Sequence, residues 1–309
     1  MNLAISTSWN AYRHESGKEM LFEIKRLGFE AVELSFNLDS GMVEEIAGLA
    51  PEWGMKVNSL HNFCPVPEGL RRDRTMPDHY SMASLDEEER LAAVKHSKRT
   101  IETAQRLGAK AVVLHCGRVE VCDHTRRLID IYNRGEKDSA EFRNLRSQMI
   151  EERAAAAARH VEQASKSVRE LSSYAGPRGI VLGIETRFYY REIPAIDEIG
   201  TIIGAGENQR LGYWHDTGHA QLTENLGFTE HKDYLKRYGS RLIGAHLHGI
   251  CGCQDHLAPV RGGVDFAMLK PYMKSDTLKV IEAHHPAEAR ELIESRIFIE
   301  DIYGAGPDT

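Results

Sequence analysis

Cysteine is scarce in this chain, and so are long apolar runs and any excess of positive charge. Five cysteines in 309 residues, with no CxxC pair among them, point away from a disulfide scaffold and from a cysteine-built zinc site, and fit a reducing compartment. No apolar run approaches the roughly 20 residues that cross a bilayer. The opening MNLAISTSWNAYRHE lacks a cationic segment followed by an apolar one. The expectation is a cytoplasmic protein with no membrane partner. Lys and Arg number 39 against 46 Asp and Glu, a formal charge of −7, so no basic field collects a polyanion and nucleic acid is a disfavoured partner. There is no GxGxxG after the first apolar strand and no Walker sequence, which removes the nucleotide signatures of the competing fold, a doubly wound sheet. No Pro/Gly/Ser linker divides the chain. What remains, 309 residues at 41% hydrophobic content, suffices for one barrel-sized core.

Two segments nearly repeat, RLGFEAVEL (26–34) and RLGAKAVVL (106–114): a helix end, a glycine suited to a left-handed cap, then a short apolar strand. Extending that unit predicts strands at Leu3–Ser6, Ala31–Leu34, Val57–Leu60, Ala111–Leu114, Val181–Ile184, Leu211–Trp214, Leu242–Leu247 and Leu278–Ile281. Helical patterns fill the gaps, and SLDEEER offers Ser84 and Glu87 as a capping box. Eight βα units predict a (β/α)8 TIM barrel, a single domain over residues 1–309, with long loops at 64–85 after the third strand and 117–140 after the fourth.

Barrel enzymes keep their chemistry at the C-terminal strand ends. Polar residues collect there: His61, His115, Glu185, Asp216 and His219, His246 and His248, His256 in the loop beyond, and Glu282. Each alone reads as a hydrogen-bonded structural group, and Asp216 in HDTGH reads as a helix cap with His219 incidental. Together, imidazole and carboxylate converging on one rim suit a borderline-to-hard divalent ion, zinc, manganese, cobalt or magnesium. Asp216 then supplies an oxygen to the ion, while His219 reaches the same rim as a second-metal ligand or substrate donor, and His61 and His248 are read as substrate contacts. Arg187, two residues past Glu185, reads either as a clamp for a substrate carboxylate or phosphate or as an ion pair with Glu33. RGGVDF (261–266) reads as a phosphate loop or a turn, and Arg71, Arg72 and Arg74 as a polyanion contact or a solvated loop. Tyr189, Tyr190 and Trp9 read as an aromatic wall or as packing. All five cysteines fall on the same rim, and Cys116 beside His115 is expected to lose its proton readily.

LGIETR, HDTGHA, GAHLHG, DHLAPVRGGVDF and KVIEAH, in this order and spacing, resemble the xylose isomerase-like TIM barrels, which include sugar isomerases and epimerases and endonuclease IV. The resemblance implies a principal metal held by Glu185, Asp216, His246 and Glu282, with Glu185 and Glu282 as the acid/base pair and His219 on a substrate oxygen. In the endonuclease IV branch further zincs are held by residues matching His61, His115, His219 and His256. The acid of that branch's Asp-x-His pair falls on Gln254, with Asp255 next to the histidine, so one or two ions are expected rather than three. The implied activity is a metal-dependent isomerase or epimerase of a small sugar, sugar phosphate or polyol through an enediolate. The alternatives are a zinc phosphodiesterase and a non-catalytic metal-binding barrel. Partners reduce to a carbohydrate substrate, with self-association into a homo-oligomer left open.

Overall fold

The computed structural model describes residues 3–206 and 210–304, so the expected 1–309 domain begins and ends outside the described residues. All eight expected strands form: β1 (Leu3–Ser6), β2 (Ala31–Leu34), β3 (Lys56–His61), β4 (Ala111–Leu114), β5 (Val181–Glu185), β6 (Leu211–Asp216), β7 (Leu242–Leu247) and, after an antiparallel hairpin of β8 (Gly249–Cys251) and β9 (Gln254–Leu257), β10 (Leu278–Ile281). They pair in the order β1-β10-β7-β6-β5-β4-β3-β2 and close, giving a single (β/α)8 barrel. Around it run α1 (Gly17–Arg26), α2 (Ser40–Glu52), α3 (Glu87–Arg106), α4 (Thr125–Asn133), α5 (Ala140–Ala175), α6 (Ile196–Gly204), α7 (Thr217–Asn225), α8 (His231–Tyr238) and α9 (Ala289–Gly304). Among the described residues no helix is long and apolar enough to cross a membrane.

The strands read as nearly continuous apolar runs because both faces are covered, by helices outside and by facing strands inside. The barrel interior is small residues around one large one: Ala4, Ala31, Ala111, Val113, Leu278 and Val280 surround Trp214. A Cβ at Gly244 would lie 2.2 Å from Trp214 Cζ3, so glycine there is a packing requirement. The two-residue period of a strand then decides β6. Trp214 points in, His215 points out and Asp216 points in again, above the tryptophan at the mouth.

Three features differ from the sequence reading. The 117–140 loop contains α4, and α7 follows β6 directly; α7 is buried along most of its length and so shows no one-sided apolar pattern. With the hairpin and the first half of the 36-residue α5 they form a second apolar cluster, including Leu128, Phe142, Leu222 and Ile250, that stands above the barrel beside the mouth. Helix α3 is capped by Asp86, whose Oδ1 accepts from Glu88 N at 2.9 Å, and not by Ser84. Ser84 donates to Glu89 at 2.7 Å instead, because Asp86 already stands at the capping position and its charge suits the helix N-terminus.

Candidate metal centre

Glu185 and Asp216 end their strands, His246 is the penultimate residue of β7, and Glu282 directly follows β10. One ligand atom from each of the four lies within 4.8 Å of the others, and all four are buried. His246 Nδ1 faces Glu185 Oε1 at 2.6 Å, Glu282 Oε2 at 2.9 Å and Asp216 Oδ2 at 3.7 Å. One ring nitrogen has at most one proton to offer three carboxylates. The other nitrogen, Nε2, donates to Glu33 Oε1 at 2.9 Å, and Glu33 Oε2 accepts from Ser59 Oγ at 2.7 Å. That support aims Nδ1 into the acids, the arrangement by which outer carboxylates orient metal-bound histidines.

Asp216 resolves the two readings of HDTGH by satisfying both. Its Oδ1 caps α7, accepting from His219 N at 2.7 Å, and also accepts from His248 Nε2 at 2.9 Å. Its Oδ2 is buried with no hydrogen-bond partner among the described residues and faces the other acids. An orphaned carboxylate oxygen is costly, and clustered carboxylates repel unless a cation lies between them. Burial would push the acids up, yet His219 and His248 hold Asp216 well below the usual carboxylate range, and His115 and His246 do the same for Glu185. One nitrogen and three anionic oxygens fit a divalent ion.

A closed ring of charge flanks this centre. His115 reaches Glu185 Oε2 with Nε2 at 2.7 Å and Asp78 Oδ2 with Nδ1 at 3.1 Å. Arg187 bridges the same two acids from the other side, Nη1 to Glu185 Oε2 at 2.7 Å and Nη2 to Asp78 at 3.6 Å, and meets Glu192 at 3.2 Å. The reading of Arg187 as an ion pair with Glu33 does not hold: Glu33 serves His246 and Ser59, and Arg187 is engaged by Glu185, Glu192 and Asp78. His61 Nδ1 donates to Asn62 O at 3.0 Å, leaving Nε2 toward Glu185 Oε2 at 3.7 Å.

On the other flank His219 Nδ1 donates to Thr186 O at 3.0 Å, so Nε2 carries the lone pair. That nitrogen lies 3.6 Å from Asp255 Oδ2, which also contacts His256 Nδ1 at 2.7 Å. Asp255 therefore reaches both histidines although it sits one residue later than the resembling pattern requires. The hairpin carries a register shift and leaves Gln254 exposed. His256 holds a left-handed backbone, φ +53°, an uncommon conformation outside glycine, with its ring stacked 4.2 Å from His248 and 3.9 Å from His284. Burial lowers His219 to about 4, whereas Asp255 outweighs burial at His256 and raises it to about 9. His248, read as a substrate contact, lies fully buried behind Asp216, with Nδ1 accepting from His256 N at 2.9 Å.

Most of the remaining sequence candidates are engaged in packing or in contacts within the fold. Arg72 donates to the carbonyls of His14, at 2.7 Å, Asn37 and Ala11, and Arg71 pairs with Asp73 at 2.7 Å, so two of the three loop arginines are already engaged. In RGGVDF, Gly262 has φ +95° and Gly263 N donates to Ile250 O at 3.0 Å: a turn closed on the hairpin. Trp9 is buried and donates to Ala287 O at 2.8 Å, Tyr190 stacks on Phe228 at 4.0 Å, and Tyr189 reaches the mouth. The cysteines do not form a reactive rim. Cys64 and Cys116 are fully buried, Cys122 and Cys251 are exposed, and burial pushes the Cys116 and Cys253 thiols up to about 12. Desolvation outweighs the neighbouring Arg187 guanidinium at Cys116.

The centre opens into a cavity of about 790 Å³ whose walls include Phe36, Met76, Ile129 and Phe188 beside the charged groups, with Arg118, Arg126 and Arg191 farther out. Sequence reasoning missed Asp78, Glu192 and His284 in this lining and Glu33 behind it. Two of these left a signal: Glu33, an acid at the third position of the apolar strand AVEL, and His284, two residues past Glu282 in KVIEAH.

A sequence profile of the xylose isomerase-like TIM barrel family matches residues 21–300. No curated protein matches the sequence. A D-tagatose 3-epimerase-like protein superposes with TM-score 0.68 at 18% identity, covering 98% of this chain and 97% of that one. The 3-keto-D-glucoside 4-epimerase of E. coli does so at 0.67 and 18%, covering 97% and 99%. The IolI protein with a bound zinc atom gives 0.66 and 15%, covering 98% of each chain. At these identities the structures speak to the fold, and the profile speaks to descent: the chain belongs to the xylose isomerase-like TIM barrel family.

Proposed function

We propose that this protein is a divalent-metal-dependent isomerase or epimerase of a small sugar or related polyol. The observation that carries the reading is the unpartnered Asp216 Oδ2 facing Glu185, His246 Nδ1 and Glu282, of which Glu185 and Glu282 line a cavity of about 790 Å³, a volume suited to a small molecule. An ion bound by these four residues supplies the positive charge that stabilises an enediolate. Moving a proton between adjacent carbons also needs a base and an acid, and Glu185 and Glu282 both line the cavity. Their surroundings differ. Arg187 and His115 both hold Glu185 Oε2, at 2.7 Å, the first with a permanent charge, whereas Glu282 Oε2 meets imidazoles, His246 Nδ1 at 2.9 Å and His256 Nε2 at 3.8 Å. Glu282 is the better first base. His219 Nε2, neutral and facing the cavity, accepts from a substrate hydroxyl. The sugar epimerases among the similar structures support the substrate class.

The test is turnover of a panel of ketoses, aldoses and keto-polyols in deuterium oxide with each divalent metal. The expected product carries solvent deuterium at the carbon that is inverted or reduced. Product formed only from an abasic DNA oligomer supports the second reading, phosphodiester hydrolysis, which the His219–Asp255–His256 cluster favours.

A further inference from the structure

This inference rests on the divalent-ion reading of the mouth. Two sets of groups compete for Glu185 Oε2. On one side stand His61 Nε2 at 3.7 Å and His115 Nε2 at 2.7 Å, which with this oxygen make a second group of ligand atoms close enough to hold an ion. On the other stands the guanidinium of Arg187, with Nη1 2.7 Å from the same oxygen. We infer that Arg187 is the built-in cation of this second cluster: it supplies the positive charge a second metal ion would bring, and so keeps the rim one ion short of what its ligands could bind.

An ion ligated by Glu185 Oε2 sits about 2 Å from it. A guanidinium nitrogen on the same oxygen then lies within a few ångströms of a divalent charge, with little water between, because Arg187, Glu185 and His61 are all buried. Arg187 has no easy way to yield. Glu192 at 3.2 Å and Asp78 at 3.6 Å hold its other end, and a guanidinium does not give up its proton. His115 is committed as well, since its two nitrogens bridge Asp78 and Glu185, and ligating a metal through Nε2 breaks that bridge. The loop after β3 takes part through Asp78, so the long excursion tunes the centre without touching it.

The test is zinc content per chain, measured by mass spectrometry after saturation with zinc and removal of free ion by gel filtration. Arg187→Met is expected to hold one zinc more than the wild type, and Arg187→Met combined with His61→Gln is expected to lose that additional ion. Arg187→Lys, which keeps the charge, should match the wild-type count. Equal counts in the wild type and Arg187→Met overturn the inference. His61→Gln in the wild-type background gives an arm independent of how Arg187→Met folds: an unchanged count supports the inference, and a count lower by one overturns it, because the cluster then fills despite Arg187. A wild-type chain that takes up no zinc or other divalent ion removes the metal reading itself, a failure distinct from one confined to Arg187.

Discussion

Strand β6 carries histidine chemistry of two kinds on its two faces. Outside the barrel, His215 Nδ1 accepts from Tyr213 at 2.7 Å, His215 Nε2 meets His231 Nε2 at 2.9 Å, and His231 Nδ1 donates to Gln221 Oε1 at 3.0 Å. Every partner of those ring nitrogens is formally neutral. Burial drives both rings below the usual histidine range, His231 to about 4. One residue along, Asp216 turns inward to a set of equally buried histidines that meet acids. There Glu282 and Glu33 hold His246 well above the usual range against burial. Burial is common to the two regions. What separates a packing histidine from a candidate ligand is the carboxylate it faces, and the strand period decides which it meets.

The largest effect should come from the shared residue. Asp216→Asn keeps the cap on α7, since asparagine caps as well as aspartate, but presents an amide to the centre. Removing an outer partner of a metal ligand lowers affinity by about 10–100-fold, so loss of a ligand should lower metal affinity by more than about 100-fold and turnover with it, with an unchanged far-ultraviolet spectrum. Full metal and full activity would remove Asp216 from the site.

The outer pair predicts an effect on stability alone. The unfolded chain protonates His231 near 6.5, while the folded chain resists until about 4. The stability this neutral ring contributes is therefore complete above pH 6.5 and is lost as pH falls toward 4, about 3 kcal/mol in all. Urea unfolding of His231→Gln across that window should show a flatter pH dependence than the wild type, at unchanged metal content. An equally steep dependence would assign the acid sensitivity elsewhere.

Glu33→Gln tests the support behind His246. Metal affinity should weaken about 10–100-fold, read by competition with a chelating dye, while the fold persists. The smallest effect belongs to the thiols. Alkylation should label exposed Cys122 and Cys251 first and leave Cys64 and Cys116 unmodified in the native protein, with activity within about two-fold of the untreated enzyme, because the thiols that label lie outside the cavity lining.

The barrel was legible because its strands are short apolar runs spaced by helices of clear period, and RLGFEAVEL and RLGAKAVVL expose the unit. Strand-end position marked the rim to which the four central residues belong, and their grouping as one ligand set came from the resemblance. Their supports were not legible. Glu33 is far in sequence from His246 and reaches it only across the closed barrel. Asp78 comes from a loop with no regular period, and Asp255 reaches His219 only through the register of the β8–β9 hairpin. Arg187 was noticed, but two of its partners, Asp78 and Glu192, come from connecting segments outside the strands.

The central claim is that the ion sits among Glu185, Asp216, His246 and Glu282, and anomalous diffraction from crystals loaded with zinc or manganese tests it most directly. The account predicts the principal anomalous peak within ligand distance of Asp216 Oδ2 and His246 Nδ1, in a shell of one nitrogen and otherwise oxygen. A principal peak at His61 and His115, or at His219 and His256, with none at the four-residue centre would contradict it.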